Sequence, residues 1–264
     1  MAFTSIGVTT SGHVAVVEIQ RPPNNFFDIT LIEEIATAFE AADADPAVRA
    51  LVLAAQGKAF CAGADFGSPR PAATTGDDDE GRSGERQPHL YDMAIRLFAQ
   101  PLPIVAAVQG AAIGGGLGLA LAADFRVAAP EARFAANFAR LGFHHGFGLS
   151  ATLPRIVGAQ RAAELLYTGA RIGGEEAHRI GLCDRLVPAA ELRTAAVAFA
   201  GEIASSAPLA VRSIRETLRA GLVEDVRAAV VRERAEQERL QKTDDWKEGV
   251  AAVAARREPD FSGR

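Results

Sequence analysis

Gly110-Ala111-Ala112-Ile113-Gly114-Gly115-Gly116-Leu117-Gly118 follows the apolar run Ile104-Val105-Ala106-Ala107-Val108, and its reading decides the fold. An earlier stretch repeats the theme: Lys58-Ala59-Phe60-Cys61-Ala62-Gly63-Ala64-Asp65 comes after the strand-like run Ala50–Ala55. Each is a small-residue turn at the end of an apolar strand. Such turns leave backbone N–H groups unpaired, and two of them aimed at one point form an oxyanion hole. Small side chains are needed there because a ligand carbonyl must approach the main chain closely. A triple glycine after a strand also suits a phosphate loop or plain tight packing, so neither turn is specific alone.

Around these turns the pattern alternates. Val14–Ile19 reads as a strand. Thr30 with Glu33 reads as a capping box, and Leu31, Ile32, Ile35 and Phe39 give the following helix an apolar face. The strand–helix–strand–turn order predicts an α/β fold. Residues 67–88 are rich in Gly, Pro, Ser and Thr and carry the acidic run Asp77-Asp78-Asp79-Glu80, which predicts a mobile loop. From about residue 195 the chain reads as helical and charged. Residues 212–242 alternate Arg and Glu around Ile214, Leu218, Leu222, Val226, Val230 and Val231, an amphipathic pattern.

The chain has 264 residues, 48% hydrophobic and 23% charged, with a formal net charge of −5. That is an ordinary globular composition with room for a sizeable core, and the charge argues against nucleic acid or an anionic membrane as partner. Two cysteines, Cys61 and Cys183, give no disulfide framework and no metal-ligand spacing. With no signal peptide and no 18-residue apolar run, a cytoplasmic protein is expected.

Taken together at this separation, the two turns resemble the crotonase (enoyl-CoA hydratase/isomerase) superfamily. Gln20-Arg21-Pro22-Pro23-Asn24-Asn25 is similar to the family's N-R-P-x-x-N-A segment. Ala122 to Arg126, Leu166-Tyr167-Thr168-Gly169, Ala177, Gly181-Leu182 and Val187-Pro188 follow in family order, and the resemblance weakens between residues 67 and 88. It implies a spiral core of repeated ββα units over residues 1–195. A C-terminal α-helical region, 196–264, is then expected to cover the site and join a homotrimer or a dimer of trimers. It also implies an acyl-CoA thioester as substrate, coenzyme A being part of that substrate, with no tightly bound cofactor and no metal.

The family's two oxyanion donors map onto the backbone N–H groups of Ala64 and Gly115. Ala62, Asp65, Ile113, Phe138 and Phe143 map to the substrate pocket, and the loop 67–88 to a lid over it. Arg21 and Asn24 fall where the family contacts coenzyme A, and Lys58 and Arg256-Arg257 with Phe261 are further candidates for substrate binding. Family hydratases add water with two glutamates, whose matching positions here are Gly118 and Phe138. Neither residue moves a proton, and residues 132–151 contain no Asp or Glu. Isomerase- or hydrolase-type chemistry is therefore favoured over hydration. Gly146 stands where some family members hold a nucleophilic Asp. His144 and His145, in a glycine-rich loop, are the candidate acid/base. His89 and Tyr91 stand near where others place a histidine. Ser150 and His145 lie too close in sequence to form a protease dyad. A non-catalytic acyl-CoA-binding protein is the alternative.

Overall fold

The computed structural model describes residues 3–64 and 90–264. The expected loop 67–88, with Asp65 and His89, lies outside the described residues. The chain opens with β1 (Ile6–Ser11), β2 (Val14–Ile19), α1 (Ile29–Asp43) and β3 (Ala50–Ala55). After the first turn come α2 (Leu90–Ala99), β4 (Ile104–Val108), β5 (Ala111–Ile113), α3 (Gly115–Ala122), β6 (Phe125–Ala128) and β7 (Arg133–Ala135). A 3₁₀ turn over Asn137–Leu141 leads to α4 (Leu149–Val157), α5 (Ala159–Thr168), β8 (Arg171–Gly173), α6 (Gly174–Arg179) and β9 (Arg185–Leu186). The chain ends in α7 (Leu192–Ala204), α8 (Pro208–Leu218), α9 (Leu222–Leu240) and α10 (Asp244–Ala254).

The strands form a six-stranded sheet in the order β1-β2-β3-β4-β6-β9 and a three-stranded sheet in the order β5-β7-β8. Among the described residues, only the outer pairs β1–β2 and β7–β8 are antiparallel. Every residue of β3 and β4 is buried, as a parallel sheet covered on both faces requires. Alternate residues serve different cores: Leu51, Leu53, Ile104 and Ala106 face one, and Ala50, Val52, Val105 and Ala107 the other.

The ββα repeat is visible as a change of sheet. β4 in the large sheet is followed by β5 in the small one and then by α3; β6 and β7 repeat the move. After β3, Cys61 makes a parallel bridge to Ala112 of β5, so the first turn occupies the same layer. The α/β spiral expected from the sequence is the observed architecture.

α1 begins at Ile29 and is capped by Asp28, whose Oδ1 accepts from Leu31 N at 2.9 Å. This corrects the Thr30–Glu33 capping box, because the helix starts before Thr30 and leaves it inside the first turn. Asp28→Ala is expected to lower unfolding free energy by about 1 kcal/mol, read from urea denaturation. At the other end of the molecule, Ala196, Ala200 and Ala204 of α7 pack on the second sheet face with Leu192, so the boundary expected after residue 195 falls inside a helix. Asp124 accepts from Ile104 N at 2.8 Å and pairs with Arg215 and Arg219, fastening α8 to the sheet. The amphipathic stripe divides: Leu222, Val226 and Val230 of α9 are buried, whereas Leu209, Ile214 and Leu218 of α8 are exposed.

Candidate active site

The two glycine-rich turns are bonded to each other. Phe60 N and Cys61 N both donate to Ala111 O, and Ile113 N donates back to Cys61 O at 3.0 Å. The approach is close enough that a Cβ on Gly116 would sit 2.0 Å from Cys61 O, so only glycine fits. Asn24 O accepts from Ala62 N at 2.9 Å and Phe27 N donates to Gly63 O at 3.0 Å, which ties the N-terminal segment to the first turn.

Gly115 is the first residue of α3. The carbonyl four residues back, Ala111 O, is already taken by the first turn. Among the described residues, neither the Gly115 amide nor the Ala64 amide has a hydrogen-bond acceptor. Both residues line one cavity of about 440 Å³, within the range of small-molecule sites. Gly115 also sits at the positive end of its helix.

The rest of the wall is apolar. Phe27 and Phe147 meet at 5.6 Å between ring centres, Phe138 and Phe143 at 5.4 Å, and Phe143 and Trp246 at 4.4 Å. The polar residues on the lining are Tyr91, Asn137, Arg171 and Gln237. Among the described residues the lining holds no Asp, Glu or His, and no group of three His, Cys, Asp or Glu stands ready for a metal.

Gly118 explains itself physically. A Cβ there would lie 2.6 Å from Phe147 Cβ and 2.8 Å from its ring, so Phe147 occupies the space a side chain at 118 needs. Phe147 adopts φ 62°, an unusual conformation for a residue with a side chain. The chain is held beside it by Glu233 of α9: its Oε2 accepts from Gly148 N at 2.8 Å and its Oε1 from Ser150 N at 2.9 Å. Glu233 is completely buried, and that burial pushes its carboxyl up from its usual range.

Of the residues expected from the sequence, Ala62, Ala64, Ile113, Gly115, Phe138 and Phe143 share the cavity. Arg21 and Asn24 do not line it; the Arg21 guanidinium pairs with Asp28 at 2.8 Å. Phe261 is also off the lining and 41% exposed. Arg257 pairs with Glu248. Cys61 is buried and its thiol is pushed up to about 12 by burial, so it stays protonated and unreactive.

The candidate acid/base histidines stand off this wall. Neither His144 nor His145 lines the cavity, because the loop turns Gly146 and Phe147 inward and both imidazoles away. His145 Nε2 meets Ser150 Oγ at 2.7 Å, with Glu233 Oε1 at 4.0 Å, and His144 Nδ1 meets His145 O at 2.8 Å. Burial, helped by the neighbouring His144, lowers His145 to about 4. Between pH 6.5 and 4 the unfolded chain therefore binds a proton at this residue that the folded chain does not. Its contribution to stability is complete above pH 6.5 and is lost as pH falls towards 4. His145→Gln is expected to flatten the acid limb of a stability-versus-pH curve over that window, measured by urea unfolding. An unchanged slope contradicts the burial argument.

Sequence reasoning passed over Gln237 altogether and gave Tyr91 no partner. Tyr91 Oη donates to Gln237 Oε1 at 2.7 Å. A signal existed in α9: its buried positions are Leu222, Val226, Val230, Glu233 and Gln237, a helical stripe whose last two members are polar. Polar residues in a buried phase mark a packed interaction or a site.

Comparison with known proteins finds similar chains over nearly the whole length. The family model described as enoyl-CoA hydratase/isomerase matches residues 9–264. A crotonyl-CoA hydratase from Syntrophomonas wolfei is 35% identical, covering 99% of each chain. The crystal structure of an enoyl-CoA hydratase/isomerase from Pseudoalteromonas atlantica superposes with a TM-score of 0.84 at 30% identity, over 98% of this chain and 100% of that one. An enoyl-CoA hydratase from Mycobacterium avium subsp. paratuberculosis gives 0.82 at 29% identity, over 99% and 100%.

Proposed function

Because this chain belongs to the enoyl-CoA hydratase/isomerase family, we propose that it is an acyl-CoA-processing enzyme whose substrate thioester oxygen is gripped by the N–H groups of Ala64 and Gly115. The observation that carries this reading is that Ala64 and Gly115, whose amides have no acceptor among the described residues, sit on turns bonded to each other and line one largely apolar cavity. Negative charge that moves onto the thioester oxygen, in an enolate or a tetrahedral oxyanion, is stabilised more than the neutral carbonyl of the ground state. The aromatic walls raise the strength of those hydrogen bonds by excluding water.

Isomerase- or hydrolase-type chemistry is favoured over hydration by paired carboxylates. Gly118 and Phe138 support this, since the first has no room for a side chain and the second is part of the aromatic wall. Coenzyme A enters as part of the substrate, and no other cofactor is proposed. We place the protein in the cytoplasm, where its two buried thiols stay reduced; among the described residues no single helix is long and apolar enough to cross a membrane. The exposed Leu209, Ile214 and Leu218 of α8 suit burial between copies, so a homotrimer or a dimer of trimers is expected from light scattering; a monomer at micromolar concentration contradicts that assembly.

One observation favours a second reading, a non-catalytic acyl-CoA-binding protein: the described lining offers neither carboxylate nor imidazole. Incubation of the purified protein with a panel of CoA thioesters, followed by mass spectrometry, separates the two. Conversion of at least one thioester is the expected result. Retention without conversion selects the binder, and absence of any retention overturns both.

A further inference from the structure

α10 is tied mainly to its own tail. Arg256 takes φ 53° and turns the chain back, so that residues 257–264 run along the helix towards its start. Arg257 Nη2 donates to Glu248 Oε2 at 2.7 Å, and Asp260 N donates to Glu248 Oε1 at 2.8 Å. Ser262 N and Gly263 N donate to the two carboxylate oxygens of Asp245 at 2.7 and 2.9 Å. Arg264 O accepts from Asp244 N and Asp245 N, the first amides of the helix, at 2.8 and 3.1 Å. Helix and tail therefore satisfy each other's polar groups and form one unit.

Among the described residues, the hold of this unit on the body is slighter. Of the eleven residues of α10 only Gly249 and Ala252 are buried. The helix rests chiefly on the 3₁₀ turn Asn137–Leu141 and the residue after it, backbone against backbone. A Cβ on Gly249 would collide with the Leu141 main chain, and one on Gly142 with Asp245 O. Trp246 adds an edge contact to Phe143, 4.4 Å between ring centres. On the outside Arg140 Nη1 meets Glu258 Oε2 at 3.3 Å, and their side chains are 53% and 84% exposed, so the pair is a weak fastening. Yet α10 supplies Val250, Val253 and Ala254 to the cavity wall. An element that closes a cavity while burying little apolar surface opens at low cost.

We propose that α10 and its tail, residues 244–264, form a flap over the cavity, hinged over 241–243 and latched by Arg140 and Glu258. The flap swings away to admit the ligand and closes on it. The choice of crotonyl-CoA as the probe rests on the thioester reading; the flap itself does not. The latch is made in the closed free protein and in the closed complex alike. Weakening it therefore speeds entry and exit together and leaves affinity unchanged.

Hydrogen exchange of the full chain, read by mass spectrometry, tests the flap with no ligand present. Amides of 244–254 are expected to exchange at least about a hundredfold faster than those of 226–237 in α9, at a rate insensitive to low urea. Exchange of both stretches at one rate that rises with urea, as global unfolding does, overturns the proposal. Trp246 is the single tryptophan of the chain, so stopped-flow fluorescence reads the entry of crotonyl-CoA. Glu258→Gln is expected to raise the association and dissociation rates about threefold each, with Kd unchanged, and to speed exchange of 244–254 by the same factor. Unchanged rates, or a change in Kd alone, overturn the gate. Failure of crotonyl-CoA to bind counts against the thioester reading only, because the exchange arm still decides the flap.

Discussion

Replacing the Gly115 residue with glycolic acid, which exchanges its backbone amide for an ester, is expected to lower kcat/KM for the converted thioester by about 10²–10³. The substitution removes one N–H and adds no side chain. That matters here because a Cβ at this position would lie 2.3 Å from the Phe27 ring. The lost N–H has no acceptor in the described protein, so the free fold gives up no internal hydrogen bond. The loss should fall mainly on kcat, since the donor is worth most when charge reaches the thioester oxygen, and KM should change far less. A matching ester at Ala64 should behave alike, and because both donors serve one oxygen the two losses need not add. Full activity in the Gly115 variant contradicts the role.

Gly118→Glu is expected to destabilise the fold by more than about 3 kcal/mol, measured as a fall in urea midpoint at constant slope. Two costs combine. The new Cβ collides with Phe147 Cβ and ring at 2.6 to 2.9 Å, and the carboxylate is carried into a region of buried aromatic rings without a partner. Phe147 has no easy retreat, because its ring lies 5.6 Å from Phe27 and 6.5 Å from Phe98 and the next residue is bonded to buried Glu233. The double variant Gly118→Glu with Phe147→Ala should recover part of the loss by opening the space. A stable single variant with newly gained hydration contradicts the account of why hydration by paired carboxylates is disfavoured.

The fold and half of the site were legible in the sequence because their requirements are local. A strand followed by a run of small residues states, in nine contiguous positions, that another backbone passes within contact distance; Gly116 against Cys61 O is that contact. The wall residues Phe138 and Phe143 were reached through the resemblance. What stayed hidden depends on partners far along the chain. The Tyr91–Gln237 bond spans 146 residues, and nothing in either neighbourhood announces the other. His144 and His145 looked chemical because imidazoles in a glycine-rich loop titrate near neutrality. Their direction is set by the inward turn of Gly146 and Phe147, which follows from the void at Gly118 and from the grip of Glu233. The helix cap was misread by two residues, since Asp28 and Thr30 are both competent caps and only the path of the preceding segment chooses between them.

The most direct measurement is the infrared carbonyl band of a ¹³C-labelled acyl-CoA thioester bound to the protein, compared with the free ester. Two main-chain donors on the thioester oxygen predict a band shifted to lower frequency on binding, with part of that shift lost in the Gly115 glycolate variant. A bound ester whose carbonyl absorbs at or above its frequency in water, unchanged by removal of the Gly115 amide, contradicts the assignment of Ala64 and Gly115.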